Sequence, residues 1–139
     1  MIVLDSNVIS EVMKKDRDRH VVSWLRRQPG HAIFTTAVNV AEVMTGIALL
    51  PIGHRQDELA SAAAEVFDRV LLNRILPFDR AAADSYARIV SSRRRIGRPI
   101  KELDAQIAAI TKVHSMALAT RDAADFVECG IEVIDPWTV

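Results

Sequence analysis

An α/β fold, with a mostly parallel sheet covered by helices on both faces, is predicted by three features of this sequence. Short apolar runs alternate with longer segments of helical period. Half of the 139 residues are hydrophobic, enough to bury a real core in one domain spanning 1–139 and too few for two. No repeat, low-complexity tract or Pro/Gly/Ser linker divides the chain.

The elements follow in order. Ile2 to Leu4 reads as a strand, and Ser6 to Met13 as a short helix capped by Ser6. His20 to Arg27 is a second helix, ended by the Pro29-Gly30 turn. Ala32 to Thr35 is strand-like, and Ala37 to Leu50 is helical until Pro51 and Gly53 break it. From Asp57 to Leu72, Leu59, Ala63, Val66, Phe67 and Val70 recur at helical spacing. Ile75 to Phe78 is a strand that Pro77 assigns to a sheet edge. Helices at Arg80 to Arg95 and Lys101 to His114 flank Gly97-Arg98-Pro99. Met116 to Thr120 and Ile131 to Ile134 supply the last strands.

Composition excludes some functions. Eighteen basic residues balance eighteen acidic ones, so attraction to nucleic acid must come from local patches. One cysteine, Cys129, forms no internal disulfide, reads as packing and suits a reducing cytoplasm. No signal peptide is visible. The apolar stretch Ala32 to Leu50 carries Asn39 and Glu42 at its centre, so it reads as a buried helix and not a membrane span.

Certain acids stand where surface acids usually do not. Asp5 ends the first strand, either capping the next helix or belonging to a site at the sheet rim, where open parallel sheets place their ligands. Glu42 has Val38, Ala41, Thr45 and Gly46 at three- and four-residue spacing, which predicts either a face built for burial or a helix rotated so that Glu42 faces water. Asp104 lies in a first helical turn, favoured there by the helix dipole, and Ile107 and Ala108 continue its stripe toward the core. Asp122 ends a second strand, while Asp125 either shares its site or caps the next turn. Acids gathered at one rim repel one another, and an all-oxygen cluster suits Mg²⁺ or Mn²⁺. No zinc set competes, since the four histidines lack a paired ligand spacing.

Taken together, "LDSNVIS" at 4–10, "AEVMTG" at 41–46, "DAQIAA" at 104–109, "ATRDAADF" at 119–126 and "DPW" at 135–137 resemble the PIN-domain family. The likeness runs through the whole chain and is nearest the toxin ribonucleases of VapBC-type pairs, including their FitB-like branch. It implies a three-layer α/β/α sandwich whose acidic pocket binds Mg²⁺ or Mn²⁺ and cuts single-stranded RNA. It assigns the four catalytic acidic positions to Asp5, Glu42, Asp104 and Asp122, with Asp125 as a further metal ligand. Asn7 matches the amide after the first acid, Ser6 replaces the commoner Thr, and Thr120 matches a frequent hydroxyl. The resemblance also implies a cognate antitoxin over the pocket, a toxin homodimer within a hetero-oligomer, and DNA contact only through the antitoxin.

Basic groups must guide RNA past a pocket of acids. The densest run, residues 88–101, holds Arg93, Arg94, Arg95 and Arg98; it reads either as phosphate contacts or as a solvated helix end. Arg121 is a second candidate. Other classes remain in play: a PIN-like binding module that acts through a DNA-binding partner keeps the fold without the cleavage. A haloacid-dehalogenase-like phosphatase wants an Asp where Asn7 stands, and a receiver domain wants adjacent acids after the first strand.

Overall fold

The structure, a computed structural model, describes residues 1–139. Five strands form one sheet: β1 (Ile2–Leu4), β2 (Ile33–Thr36), β3 (Ile75–Leu76), β4 (Ala117–Ala119) and β5 (Val133–Ile134). Their order is β3-β2-β1-β4-β5, and every neighbouring pair is parallel. Parallel strands need crossovers, which are supplied by α1 (Ser6–Met13), α2 (Arg19–Arg26), α3 (Ala37–Ala48), α4 (His54–Glu65), α5 (Arg80–Arg95) and α6 (Glu102–Val113). None of these helices is long and apolar enough to cross a membrane.

Strand β1 lies at the centre because both of its faces are apolar. Successive side chains point to opposite faces. Val3 therefore packs with Leu118, Ile89, Ile107, Ile110 and Phe126 beneath α5 and α6. Leu4 packs with Ala119, Val8, Ile9, Trp24, Val43 and Phe67 on the α1–α4 side. Each such fully buried aliphatic side chain contributes about 1.5–3 kcal/mol.

Three expectations change. Asp5, not Ser6, caps α1, its Oδ1 accepting from the Ser6 backbone N–H at 2.8 Å. The helix expected from Asp57 begins at His54 and widens into a π-helical turn over Val66–Val70, where the Leu71 N–H reaches back to the Val66 carbonyl at 2.8 Å. That turn points Phe67 and Leu71 into the core. A 3₁₀ turn takes Gly30–Ala32, so the strand expected from Ala32 begins at Ile33, and a second such turn forms at Ala123–Phe126, where the sequence reading assigned no element. Strand β3 does lie at an edge, where Pro77 follows it.

The topology positions a site. From β1 the chain moves outward through β2 and β3, then returns to lay β4 on the other flank of β1. The carboxyl ends of β1 and β4 are thus a topological switch point, where parallel sheets open a crevice. The pairing of Leu4 with Ala119 brings both strands to an end at one level, and the Asp5 N–H donates to the Ala119 carbonyl at 2.9 Å.

Candidate active site

Asp5 forms the floor of this crevice. It is only 5% exposed, yet its carboxylate is well supplied with donors. Oδ1 accepts from the Ser6 N–H (2.8 Å), the Ser6 hydroxyl (3.3 Å) and Asn39 Nδ2 (2.9 Å). Oδ2 accepts from the Thr120 hydroxyl (2.6 Å) and, at 3.5 Å, from Asn7 Nδ2. Asp5 is therefore both helix cap and site residue.

Three of its donor residues, Ser6, Asn7 and Thr120, are ones the sequence reading placed at the site. Thr120, fully buried after β4, donates to Asp5 and accepts from Asn7 Nδ2 and the Asp122 N–H. Asn7 links the two strand ends, since its Nδ2 also reaches Asp122 Oδ2 at 3.1 Å while its Oδ1 accepts from the Arg121 N–H. The Ser6 hydroxyl, besides touching Asp5, donates to Glu42 Oε1 at 2.8 Å.

Asn39 was missed as a site residue. Thr36 caps α3; its hydroxyl accepts from the Asn39 N–H at 3.1 Å and donates to Asn39 Oδ1 at 2.7 Å. That donation turns the amide so that Nδ2 faces Asp5. The sequence carried the signal in Thr-x-x-Asn at a helix start, a capping-box spacing, with Asn39 one turn before Glu42.

The remaining acids stand at graded depth. Glu42 and Asp104 are half-buried, and Asp122 and Asp125 are exposed. The expected burial of the face around Glu42 is corrected: Ala41, Thr45 and Gly46 are exposed, and the buried stripe of α3 is Val38, Asn39, Val43 and Ile47. Glu42 lies on the border of that stripe and leans over the floor. The Asp104 stripe does continue through Ile107 and Ala108, both fully buried.

Burial pushes the Asp5 carboxyl above the usual aspartate range, against the pull of its donors. Burial also raises Glu42, with the Ser6 hydroxyl opposing and the charge of Asp5 adding. Asp104 is pushed up to about 6, first by burial and then by the charges of Asp5, Asp125 and Glu42, with Lys101 opposing. No ion pair reaches any of the five acids. Crowded carboxylates with no basic side chain paired to them, all offering oxygen, fit a hard divalent ion. No three acidic, histidine or cysteine side chains are closed into a ready ligand shell.

The arginine run divides. Arg93 is buried, and its guanidinium donates to the carbonyls of Arg98 (2.6 Å), Asp125 (3.0 Å) and Val127 (2.9 Å), with Cys129 Sγ at 3.5 Å. The expectation that it contacts RNA is therefore corrected: it braces the chain before α6 against the segment carrying Asp125. Ala82, Ser85, Ile89 and Arg93 form the buried stripe of α5, so helical spacing carried this signal too. Gly97, at φ +73°, closes α5 in a Schellman turn, its N–H bonded to the Arg94 carbonyl and that of Arg98 to the Arg93 carbonyl. The turn delivers Arg98 and Lys101 to a cleft of about 410 Å³ shared with Asp104 and Asp125. Arg94 and Arg95 are exposed on the end of α5, outside that cleft. Arg121 stacks its guanidinium over Trp137, 5.0 Å from the ring centroid, beside Asp122. Cys129 is buried, consistent with packing.

Comparison with known proteins agrees with this geometry. The model of the PIN domain matches residues 2–130. The chain is 37% identical over 137 residues to the VapC ribonuclease Y4jK of Sinorhizobium fredii, covering 99% of this chain and 98% of that one. It is also 37% identical over 137 residues to the toxin FitB of Neisseria gonorrhoeae, covering 99% of each. Among solved structures, that of FitAB bound to an IR36 DNA fragment superposes with a TM-score of 0.93 at 37% identity, covering 100% of this chain and 97% of its counterpart. A floor acid between two strand ends, acids leaning in from two helices, and these likenesses along the whole length place the chain in the PIN-domain family, in its VapC- and FitB-like branch.

Proposed function

We propose that this chain is a divalent-metal-dependent endoribonuclease, the toxin member of a toxin–antitoxin pair, which hydrolyses phosphodiester bonds in single-stranded RNA. The observation that carries the reading is the acid cluster itself: five carboxylates at the switch point, three with raised proton affinity, none met by a basic side chain. Asp5, Asp104, Glu42 and Asp122 would hold Mg²⁺ or Mn²⁺, with Asp125 as an adaptable fifth. When bound, the ion supplies positive charge that offsets the phosphodiester's developing charge and makes water a better nucleophile.

The protein's own groups prepare this chemistry. Ser6, Asn39 and Thr120 hold the Asp5 carboxylate in one orientation, and Asn7 ties it to Asp122. Asp104, whose carboxyl burial and neighbouring charges push up to about 6, would hold a cation in its ionised form, so binding would be coupled to pH. Arg98 and Lys101 on one flank and Arg121 on the other offer phosphate contacts. Water attacks in line, leaving a 5′-phosphate and a 3′-hydroxyl.

The substrate class rests on the relative named a ribonuclease, and the partner on the relative that forms FitAB. An antitoxin would cover the crevice and contact DNA on the toxin's behalf, and the toxin would form a homodimer within that assembly. Met44, Leu49 and Ile52 leave exposed apolar surface on and after α3 for such protein contacts.

Cleavage of a mixed panel of defined RNAs by antitoxin-free protein, with Mg²⁺, Mn²⁺ or EDTA, tests the reading beside Asp5→Asn and Asp104→Asn. The expected result is metal-dependent cutting lost in both variants. A 2′,3′-cyclic phosphate at the new end would make the RNA 2′-hydroxyl the nucleophile and overturn the hydrolytic mechanism. No cutting by folded wild type with any metal would favour a binding module.

A further inference from the structure

The sequence is formally neutral, so any field that draws a polyanion must be local. The structure contains a basic patch outside the run at residues 88–101. Arg17, Arg19, Arg26 and Arg27 line one groove of about 460 Å³ with Val22 and Ser23, and no acid lines it. All four arginines are exposed and none forms an ion pair.

The groove follows from the two faces of α2. Val21, Trp24, Leu25 and Gln28 turn inward at helical spacing. Arg19, Val22, Ser23, Arg26 and Arg27 recur at i, i+3, i+4, i+7 and i+8 on the other side, and α2 itself contains no acid. Solvated helix faces commonly pair opposite charges one turn apart, and this one does not. Helix stability accounts for Arg26 and Arg27 at the carboxyl end. It does not account for Arg19 at the first position, where the dipole is positive.

The groove also leads to the candidate active site. Arg17 and Arg19 line a second cleft that reaches Arg121 and Trp137. Arg121 in turn bonds to Asn7 through its backbone N–H and precedes Asp122. Three acids face this second cleft, and two of them are committed: Glu11 to Lys14 at 3.1 Å, and Asp18 to capping the α2 N–H groups of His20 and Val21. Asp16 alone is exposed there without a partner.

We propose that the groove formed by Arg17, Arg19, Arg26 and Arg27 binds the phosphate backbone of single-stranded RNA, which runs from the acidic crevice past Arg121 and Trp137 onto α2. The assignment rests on the nuclease reading for the identity of the polyanion. Arginine forks match phosphate oxygens bidentately, and the Arg121 guanidinium, held over the Trp137 ring beside Asp122, continues the track toward the crevice. Recognition through the backbone is tolerant of sequence, so the track governs affinity more than site choice.

The test is binding in EDTA, which separates it from cleavage. A short fluorescein-labelled single-stranded RNA is titrated by anisotropy at several salt concentrations against wild type, Arg26→Ala/Arg27→Ala, and the charge-matched control Arg55→Ala/Arg69→Ala. Melting temperature and Mn²⁺ binding are followed in parallel. The expected result is an affinity loss on the order of tenfold in the α2 variant alone, with a salt slope shallower by roughly 1 to 1.5, and with folding and Mn²⁺ binding retained. Equal losses in both double variants, or no salt-dependent binding by wild type, would overturn the proposal. So would loss of binding to a polyglutamate peptide with RNA binding intact, which would assign the groove to an acidic protein. If wild type cleaves no RNA while the α2 variant selectively loses binding, the track stands and the nuclease reading falls. If cleavage is metal-dependent and the α2 variant binds as wild type does, the track falls alone.

Discussion

The floor and the rim of the acidic crevice are built from the same functional group in opposite ways. Asp5 is buried and accepts from Ser6, Asn39, Thr120 and Asn7, so its position is set before any ion or substrate arrives. Asp122 and Asp125 are exposed; Asp122 accepts one side-chain hydrogen bond, from Asn7, and the Asp125 carboxylate accepts none. Burying a carboxylate is costly unless donors surround it, and each donor further restricts how it can move. The floor is therefore pre-organised for one ligand geometry, while the rim is free to follow whatever ion and phosphate the floor has seated.

This contrast orders the expected effects. Asp5→Asn is the most damaging substitution. Residues that merely support a metal ligand typically contribute 10- to 100-fold, so removing the floor charge should lower Mn²⁺ affinity and RNA cleavage by more than about 100-fold. A loss no greater than that of a rim variant would break the comparison. Asn39→Ala comes next: it removes one donor to Asp5 and should cost about 10- to 100-fold in Mn²⁺ affinity, read by calorimetry, with a lower melting temperature because the carboxylate loses a buried partner.

The effect of pH is smaller and has a definite sign. Asp104 holds its proton up to about pH 6 in the folded chain, against an ordinary value of 3.8. In the metal-free protein, its contribution to stability is fully present below the ordinary value and is lost as pH rises through about 6. Melting temperature without metal should fall over that window, and Mg²⁺ should restore more of it at pH 7.5 than at pH 5, an order-of-magnitude difference in apparent affinity. A melting temperature that stays flat across this range would contradict a carboxyl raised by burial and by its charged neighbours. The smallest effects belong to Asp122→Asn and Asp125→Asn taken singly, each less than about tenfold in cleavage because the other can substitute. Their double variant should lose more than the product of the two, a coupling measurable in a double-mutant cycle.

Legibility from sequence followed the same division between local and tertiary order. Strand ends announce themselves, so Asp5 after Ile2–Leu4 and Asp122 after Ala117–Ala119 could be assigned to one rim from alternation alone. Helix α5 falls at Arg80–Arg95, where its cap and its closing glycine bound it. What sequence density suggested about arginine was less reliable. The run at 93–95 is crowded in sequence, yet Arg93 turns inward on the stripe of Ile89 while its neighbours face solvent. The arginines at 17, 19, 26 and 27 are spread along the chain and meet only because a helix turn brings them together. Asn39 read as an obstacle to a membrane span, and its link to Asp5 appears only once α3 is laid beside β1. Glu42 meets Asp5 through the Ser6 hydroxyl, although its i+3 and i+4 neighbours face water and not the core expected from the sequence.

The most direct test of the account is Mn²⁺ binding by antitoxin-free protein at pH 7.5, followed by electron paramagnetic resonance with Asp5→Asn as the comparison. A folded wild type that takes up Mn²⁺, displaceable by Mg²⁺, and a folded Asp5→Asn that takes up none would establish the crevice as a divalent-cation site organised from its floor. A folded wild type that binds no Mn²⁺, or an Asp5→Asn variant that binds it equally well, would contradict that claim.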